Sequence, residues 1–293
     1  MLKLKSTLLI SIFSIIFSFS TPIYSSNLNI ILNKKVNFDI PEESGQTYNM
    51  PWINDNDFLE AKEVYDTPIL IAGFCSVLVD PLPGEEYNVA LAAKSISGHV
   101  VKPSKIFSQN ERIGPYTKRR GYKDGSSFAE NQIVTTEGGG VCKIATSLYN
   151  LAVLSNLEIV ERYFHSMPVN YVPYGQDATV AYGIKDFRFK NTTEGNILIW
   201  SELIGNRLYM GFYGSKRPPK VTWTHEVTDI VKPSLKYIRN TSLAKGEMVL
   251  KIKGIEGANV KSIITIEYSD GAVETKKMSP SYYFPLPEVI EIN

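Results

Sequence analysis

Two adjacent prolines, Pro218 and Pro219 in "SKRPPK" (215–220), divide the chain at a point that no central strand ladder can cross. Beyond them, "KVTWTHEVTDIV", "EMVLKIKG", "VKSIITIEYSDG" and "AVETKKM" are short segments separated by glycine turns, without a helical period. That pattern predicts a small all-β module over 219–293. Before the prolines the periods are mixed. "NVALAAKSIS" places Val89, Ala92, Ala93 and Ile96 on one helical face behind Asn88 as N-cap. Ile144, Leu148, Leu151, Ala152 and Ser155 recur at helical spacing and predict a helix over about 142–154. "TPILIAGFCSVLVD" (67–80) is a β-rich apolar run, and "NILIWSELIGNRLYMGFYG" predicts two strands turning at Gly205-Asn206. The expected fold class is α+β: a mixed domain over 67–214, with a helix after a glycine-rich cysteine loop and several β-strands, followed by the β module.

The first residues, "MLKLKSTLLISIFSIIFSFSTPIYSS", set Lys3 and Lys5 before an apolar segment broken by Ser11, Ser14 and Ser18. A short apolar core after a basic start is the pattern of a secretory signal peptide, here 1–26. The expectation is export to the cell envelope, with membrane attachment only if this segment stays uncleaved. Residues 27–66 carry weak signals, with one short helix expected around 57–65, and read as a linker or small leading segment. The formal charge of +1 becomes −1 without Lys3 and Lys5, which offers no strong field for nucleic acid or an anionic membrane. With 17 Tyr and 13 Phe the chain has ample means to build a core.

The chain has two cysteines, Cys75 and Cys142, and outside the cytosol a disulfide between them is one reading. The other starts from "EGGGVCKIATSLYN" (137–150). Glycines before a helix leave amide N–H groups free, and a thiol at a helix start feels the positive end of the macrodipole, which favours thiolate. The same amides can hold the oxyanion of acyl transfer. Phosphate binding is excluded by the lack of Lys-Ser/Thr after the glycines and by spacing that fails the dinucleotide pattern.

A cysteine nucleophile needs a base. Of His99, His165 and His225, His165 in "VERYFHSMPVNYVP" follows the expected helix after a short connection, so the chain can fold back beside Cys142. Asp177 is the nearest downstream carboxylate to orient the ring, followed by Asp186. No HExxH or CxxC spacing exists, so neither a metal nor another cofactor is expected.

The segments "VVKPSKIFSQNERIGPYTKRRGYK", "EGGGVCKIATSLYNLAVLSNLEIVERYFHSMPVNYVPYGQDATVAYGIKDFRFKN" and "FYG" together resemble the VanW domain family over about 85–214. The tail resembles a glycine-spaced extracellular module found after such domains. The resemblance implies a cysteine L,D-transpeptidase of peptidoglycan that links diaminopimelate residues of stem peptides and releases D-alanine. The alternatives are a cysteine carboxypeptidase or amidase on wall peptides, or a non-catalytic wall-binding protein. Carried over, the family cysteine is Cys142 and the family histidine His165. Backbone around Gly139, Gly140 and Lys143 would hold the oxyanion, and Arg120 and Arg188 are the candidate partners for stem carboxylates. The family pattern has Gln after the cysteine, whereas this chain has Lys143, Ile144 and Ala145.

Overall fold

The computed structural model describes residues 42–79, 81, 84–129 and 132–293, so the segment read as a signal peptide lies outside the described residues. The first part of the chain runs through β1 (Gly45–Gln46), α1 (Asn56–Val64), β2 (Ile69–Val77), α2 (Glu85–Ile96), β3 (His99–Val101), β4 (Ile106–Ser108) and α3 (Gln109–Ile113). It continues with the hairpin of β5 (Asp124–Ala129) and β6 (Gln132–Glu137), then α4 (Cys142–Leu154), β7 (Glu158–Glu161), β8 (Arg188–Lys190), β9 (Ile197–Ile204) and β10 (Arg207–Gly214).

Five antiparallel strands form the central sheet in the order β1-β2-β10-β9-β3. β9 and β10 are the hairpin read from the sequence, with Gly205 taking the left-handed turn position (φ 57°). Both faces are covered, so both phases of the strand alternation are apolar. Leu208, Met210 and Phe212 of β10 face the core built with α2 and α4. Tyr209 and Tyr213 face a second core with Trp52 and Phe58. Residues 42–66 are therefore not a connector. β1 pairs with β2, Phe58 of α1 lies edge-on to Tyr213 at 4.7 Å, and the Trp52 indole donates to the Tyr213 hydroxyl at 2.8 Å.

The sheet also answers the disulfide question. Cys75 sits in β2 within the second core, whereas Cys142 packs against the first, on the α4 side. Both thiols are free. Helix α4 is buried at every position from Ile144 to Val153. A helix apolar nearly all round must be covered on more than one side. Here the central sheet covers one side, and Trp223 meets Tyr149 on another, ring centroids 5.3 Å apart.

Trp223 belongs to the β-rich remainder: β11 (Lys220–Val231), β12 (Leu235–Arg239), β13 (Met248–Ile252), β14 (Gly257–Glu267), β15 (Val273–Lys277), β16 (Ser281–Tyr283) and β17 (Glu288–Ile292). β11, β14 and β15 form one antiparallel sheet, with β16 also on β14, and β12-β17-β13 forms another. The fold is α+β with a strand-rich C-terminal region. The buried centre of that region, Ala258, Val260 and Tyr283, is completed by Phe164 and Tyr174 from the preceding part of the chain.

Candidate active site

Cys142 is the first residue of α4, and no side chain caps the helix. The loop before it is folded tightly rather than held open. Gly138 (φ 71°) and Gly140 (φ 100°) take backbone that side-chain-bearing residues rarely adopt. A Cβ at Gly138 would fall 2.4 Å from that of Tyr116, and one at Gly140 would fall 2.6 Å from Glu85 Cγ. The Gly139 carbonyl accepts from Asn88 Nδ2 at 2.9 Å. Gly140→Ala is therefore expected to destabilise the protein by about 2 kcal/mol, read as a lower urea midpoint; an unchanged midpoint counts against this tight packing.

The tight loop also narrows the amide donors expected from the sequence. The Val141 and Lys143 amides close turns onto Gly138 O and Gly140 O, at 3.3 and 3.0 Å. Among the described residues, the amides of Gly140 and Cys142 make no backbone hydrogen bond, and they are the pair available to an oxyanion.

One face of α4 builds the rest of the site through residues four apart. Cys142 Sγ lies 3.3 Å from Thr179 Oγ1 and 3.7 Å from the Val180 carbonyl. Thr146 Oγ1 accepts from the Ala178 amide at 3.0 Å and donates to its carbonyl at 3.1 Å. Asn150 Nδ2 donates to the Gln176 carbonyl at 2.8 Å. This polar stripe fixes residues 176–180 along the helix, and with them Asp177.

Asp177 and His165 are buried, at 1% and 5% exposure, and every oxygen of the carboxylate is used. Oδ2 accepts from the His165 amide at 2.7 Å and pairs with His165 Nδ1 at 2.6 Å. Oδ1 accepts from Arg162 Nη2 at 3.0 Å and from the Tyr283 hydroxyl at 2.5 Å. With Nδ1 held by Asp177, Nε2 is the ring nitrogen left to act on Cys142, and the thiol and the imidazole interact strongly enough to shift each other's titration. The order Cys–His–Asp is that of an activated nucleophile.

The electrostatics agree with the geometry. Burial pushes the Cys142 thiol up, but the hydrogen bond and charge of His165, with Thr179 and the Val180 backbone, bring it down to about 7. Burial pushes His165 down, and Asp177 and Cys142 outweigh it, lifting the ring to about 9. Burial opposes the charge on Asp177, yet His165 and Arg162 hold it below the usual carboxylate range. Between these values the site holds thiolate and imidazolium together. Alkylation of Cys142 by iodoacetamide should therefore rise with pH through about 7. Cys75 does not interfere, because burial lifts it to about 12. A single rise near 9, the ordinary thiol value, would contradict the ion pair.

The remaining sequence candidates lie apart from this centre. Lys143 is paired with Glu85 in a mostly buried contact, its ammonium 4.8 Å above the Tyr171 ring. Arg120 is exposed and donates to the Gly114 carbonyl; the Tyr182 ring lies so close that a Cβ on Gly114 would fall 2.5 Å from it. Arg188 faces Glu161 at 3.6 Å. Asp186 caps a turn, accepting from Ser108 Oγ at 2.5 Å and from the Asn110 amide at 2.9 Å. His225 pairs with Gln176 and Ser262, and His99 packs edge-on to Phe107. Thr146, Asn150, Thr179, Arg162 and Tyr283 went unread in the sequence, and Asn88, read as an N-cap, lies instead inside α2, whose N-cap is Gly84, and holds the Gly139 carbonyl. Arg162 stands three positions before His165 and carried a signal; Tyr283, more than a hundred residues away, carried none.

A family model described as "VanW like protein" matches residues 84–213. The uncharacterized protein YoaR of Bacillus subtilis (strain 168) is 39% identical over 129 residues, covering 44% of this chain and 43% of that protein. The vancomycin B-type resistance protein VanW of Enterococcus faecalis (strain ATCC 700802 / V583) is 28% identical over 160 residues, covering 53% of this chain and 56% of that protein. The chain thus spans about half the length of the curated relatives it matches. Among solved structures, the IgA1 protease G5 domain aligns with 27% of this chain and 96% of its own, at 22% identity and a TM-score of 0.17. HP0197-G5 aligns with 25% of this chain and 99% of its own, at 17% identity and a TM-score of 0.15. The motif series that surrounds Cys142 and His165 falls inside the matched segment, and residues 84–213 are a VanW-family domain.

Proposed function

We propose that the protein is an exported peptidoglycan L,D-transpeptidase with Cys142 as nucleophile, His165 as acid and base, and Asp177 as the group that orients the ring. The observation that carries the reading is the Cys142–His165–Asp177 series at the start of α4, with Asp177 2.6 Å from His165 Nδ1. Its placement inside a VanW-family domain points the chemistry at the cell wall. In the first half-reaction the thiolate adds to the carbonyl that joins the L-centre of diaminopimelate to D-alanine. The Gly140 and Cys142 amides receive the oxyanion. His165 gives its proton to the departing D-alanine amine, the C–N bond breaks, and a thioester remains. In the second, the neutral imidazole takes a proton from the side-chain amine of an acceptor stem. That amine attacks the thioester, the new amide forms, and the thiolate is released.

Stem carboxylates need a cation, and Arg120 is the better placed of the two candidates. Tyr182, which covers the Gly114 turn where Arg120 is anchored, lies two residues beyond Val180 at the sulfur. Arg188 is engaged by Glu161. Lys143, held by Glu85, acts on the loop that shapes the oxyanion site rather than on the substrate directly.

Incubation with purified disaccharide-tetrapeptide, followed by mass spectrometry, tests the proposal. The expected product is a dimer lacking one D-alanine. Shortened stems without dimer would replace transfer by hydrolysis, with water as acceptor. No change with any stem peptide would favour a wall-binding role without catalysis.

A further inference from the structure

Asp177 is not held by its own domain alone. Of the two donors on Oδ1, one is the hydroxyl of Tyr283 in β16 of the C-terminal β module, at 2.5 Å. That hydroxyl accepts in turn from the Gly175 amide at 2.9 Å, so it relays between the loop and the carboxylate. The other donor, Arg162, is tied to the same strand, since its Nη1 donates to Ser281 Oγ at 2.8 Å. Both flanks of the site join this contact. The Phe284 amide donates to the carbonyl of Ser166, next to His165, at 2.8 Å, and Phe164 lies edge-on to Tyr283 at 5.8 Å. On the other flank the Tyr174 hydroxyl donates to the Glu256 carbonyl at 2.5 Å, and Gln176 Nε2 meets His225 Nε2 at 3.0 Å.

We propose that the C-terminal β module is part of the reaction centre, with Tyr283 a positioning residue that holds the Asp177 carboxylate in line with His165, a role that rests on the Cys142 reading above. A carboxylate held at one oxygen by a single donor can swing about its Cβ–Cγ bond. Two donors on Oδ1 fix its plane and leave Oδ2 facing Nδ1. Arg162 alone does not do the same, because it gives Oδ1 a single hydrogen bond, its other contacts going to Ser281 and to the Asp177 and Gly175 carbonyls, which anchor it in place. Without the Tyr283 hydroxyl, the Gly175 amide also loses its acceptor, and an orphaned buried donor draws the nearest free lone pair, that of Asp177.

Two effects of Tyr283→Phe oppose each other at His165. Loss of a donor dipole makes Asp177 more basic and strengthens its pull on the imidazolium. Loss of position weakens the contact at Nδ1. Apart from one another, the titratable and charged groups facing Cys142, His165 and Asp177 are Arg162, Tyr116, Tyr149, Tyr171 and Tyr283, with the Lys143–Glu85 pair beyond Tyr171. Burial raises all four tyrosines, Tyr149 to about 12, so none of them titrates near neutrality. A shift in the thiolate titration therefore reports on the His165–Asp177 contact.

The test is the pH profile of iodoacetamide alkylation of Cys142 in the full chain, with thermal unfolding recorded beside it. For Tyr283→Phe the midpoint should move up by at least about half a pH unit, and the limiting rate at high pH should stay the same. Ser281→Ala, a milder change that frees Arg162, should move it the same way by less. It also serves as the probe if the tyrosine variant does not fold. A lower melting temperature with an unmoved or lowered midpoint would make the module a structural support only and overturn the proposal. If the wild-type thiol itself titrates near 9, the Cys142 reading falls, and this proposal with it. A wild-type midpoint near 7 that neither variant moves overturns the positioning role alone.

Discussion

Cys142→Ala should abolish dimer formation from tetrapeptide stems, a loss of at least about 10⁴-fold, while leaving the fold nearly as stable as before. On the proposed reading the rate falls because, among the described residues, the site holds no second thiol, and the hydroxyl of Thr179, 3.3 Å from the sulfur, is a far weaker nucleophile. At and below neutral pH stability holds because Cys142 is only partly buried and sits at a helix start, where alanine meets no steric conflict; in alkali the variant forgoes what the thiolate contributes. The variant also isolates the role of the thiolate. Without its negative neighbour, His165 loses one of the interactions that lift it to about 9 and keeps Asp177, so its titration should fall while remaining above the ordinary 6.5. Mass spectrometry of the products and a urea titration check both halves. Dimer that persists in the alanine variant would remove Cys142 from the mechanism.

The sequence made the scaffold of this site readable wherever the signal was periodic or close in the chain. The 3.6-residue period of 142–154 located α4, and the Gly205-Asn206 pair located the hairpin of β9 and β10. His165 could be matched to Cys142 because one short connection separates them, and Asp177 because it follows soon after. The stripe of Cys142, Thr146 and Asn150, four apart on the same helix, went unread, because its function as a clamp on 176–180 shows only with the partner segment in place. Residues 42–66 gave only one weak signal, the short helix around 57–65, which the structure has as α1. Their contribution rests on Trp52 and Phe58, large side chains set in a polar stretch that no period reveals. Tyr283 was out of reach for another reason: it meets Asp177 through the packing of the strand-rich C-terminal region on the preceding part of the chain, and only the packing specifies such a contact.

Asp177→Asn should be the most damaging conservative change in the molecule, because it strikes chemistry and folding together. The amide keeps the shape of the carboxylate but has one acceptor oxygen where the native site uses two, so His165 and Arg162 compete for it and the imidazolium loses its counter-charge. Transfer should fall by about 10⁴-fold, the scale of the corresponding change in serine protease triads. The Cys142 alkylation midpoint should climb from about 7 back toward 9. Arg162, at 4% exposure, is left as a buried cation without its partner, which costs about 3–5 kcal/mol. The dependence on pH separates these terms. His165, raised when folded, adds stability that is present below 6.5 and lost as pH rises to about 9. Cys142, lowered when folded, adds stability that grows as pH rises from about 7 to 9, so the two slopes nearly cancel around neutrality. Asp177, lowered when folded, adds stability that is present above 3.8 and lost as pH falls through its folded value. The gap between wild type and variant should therefore stay wide from neutral to mildly alkaline pH and close in acid, as Asp177 takes up a proton and resembles the amide. Urea titrations at a series of pH values read that gap directly. A gap that does not narrow in acid would show that the cost lies in packing rather than in the charge that holds His165 and Arg162 together.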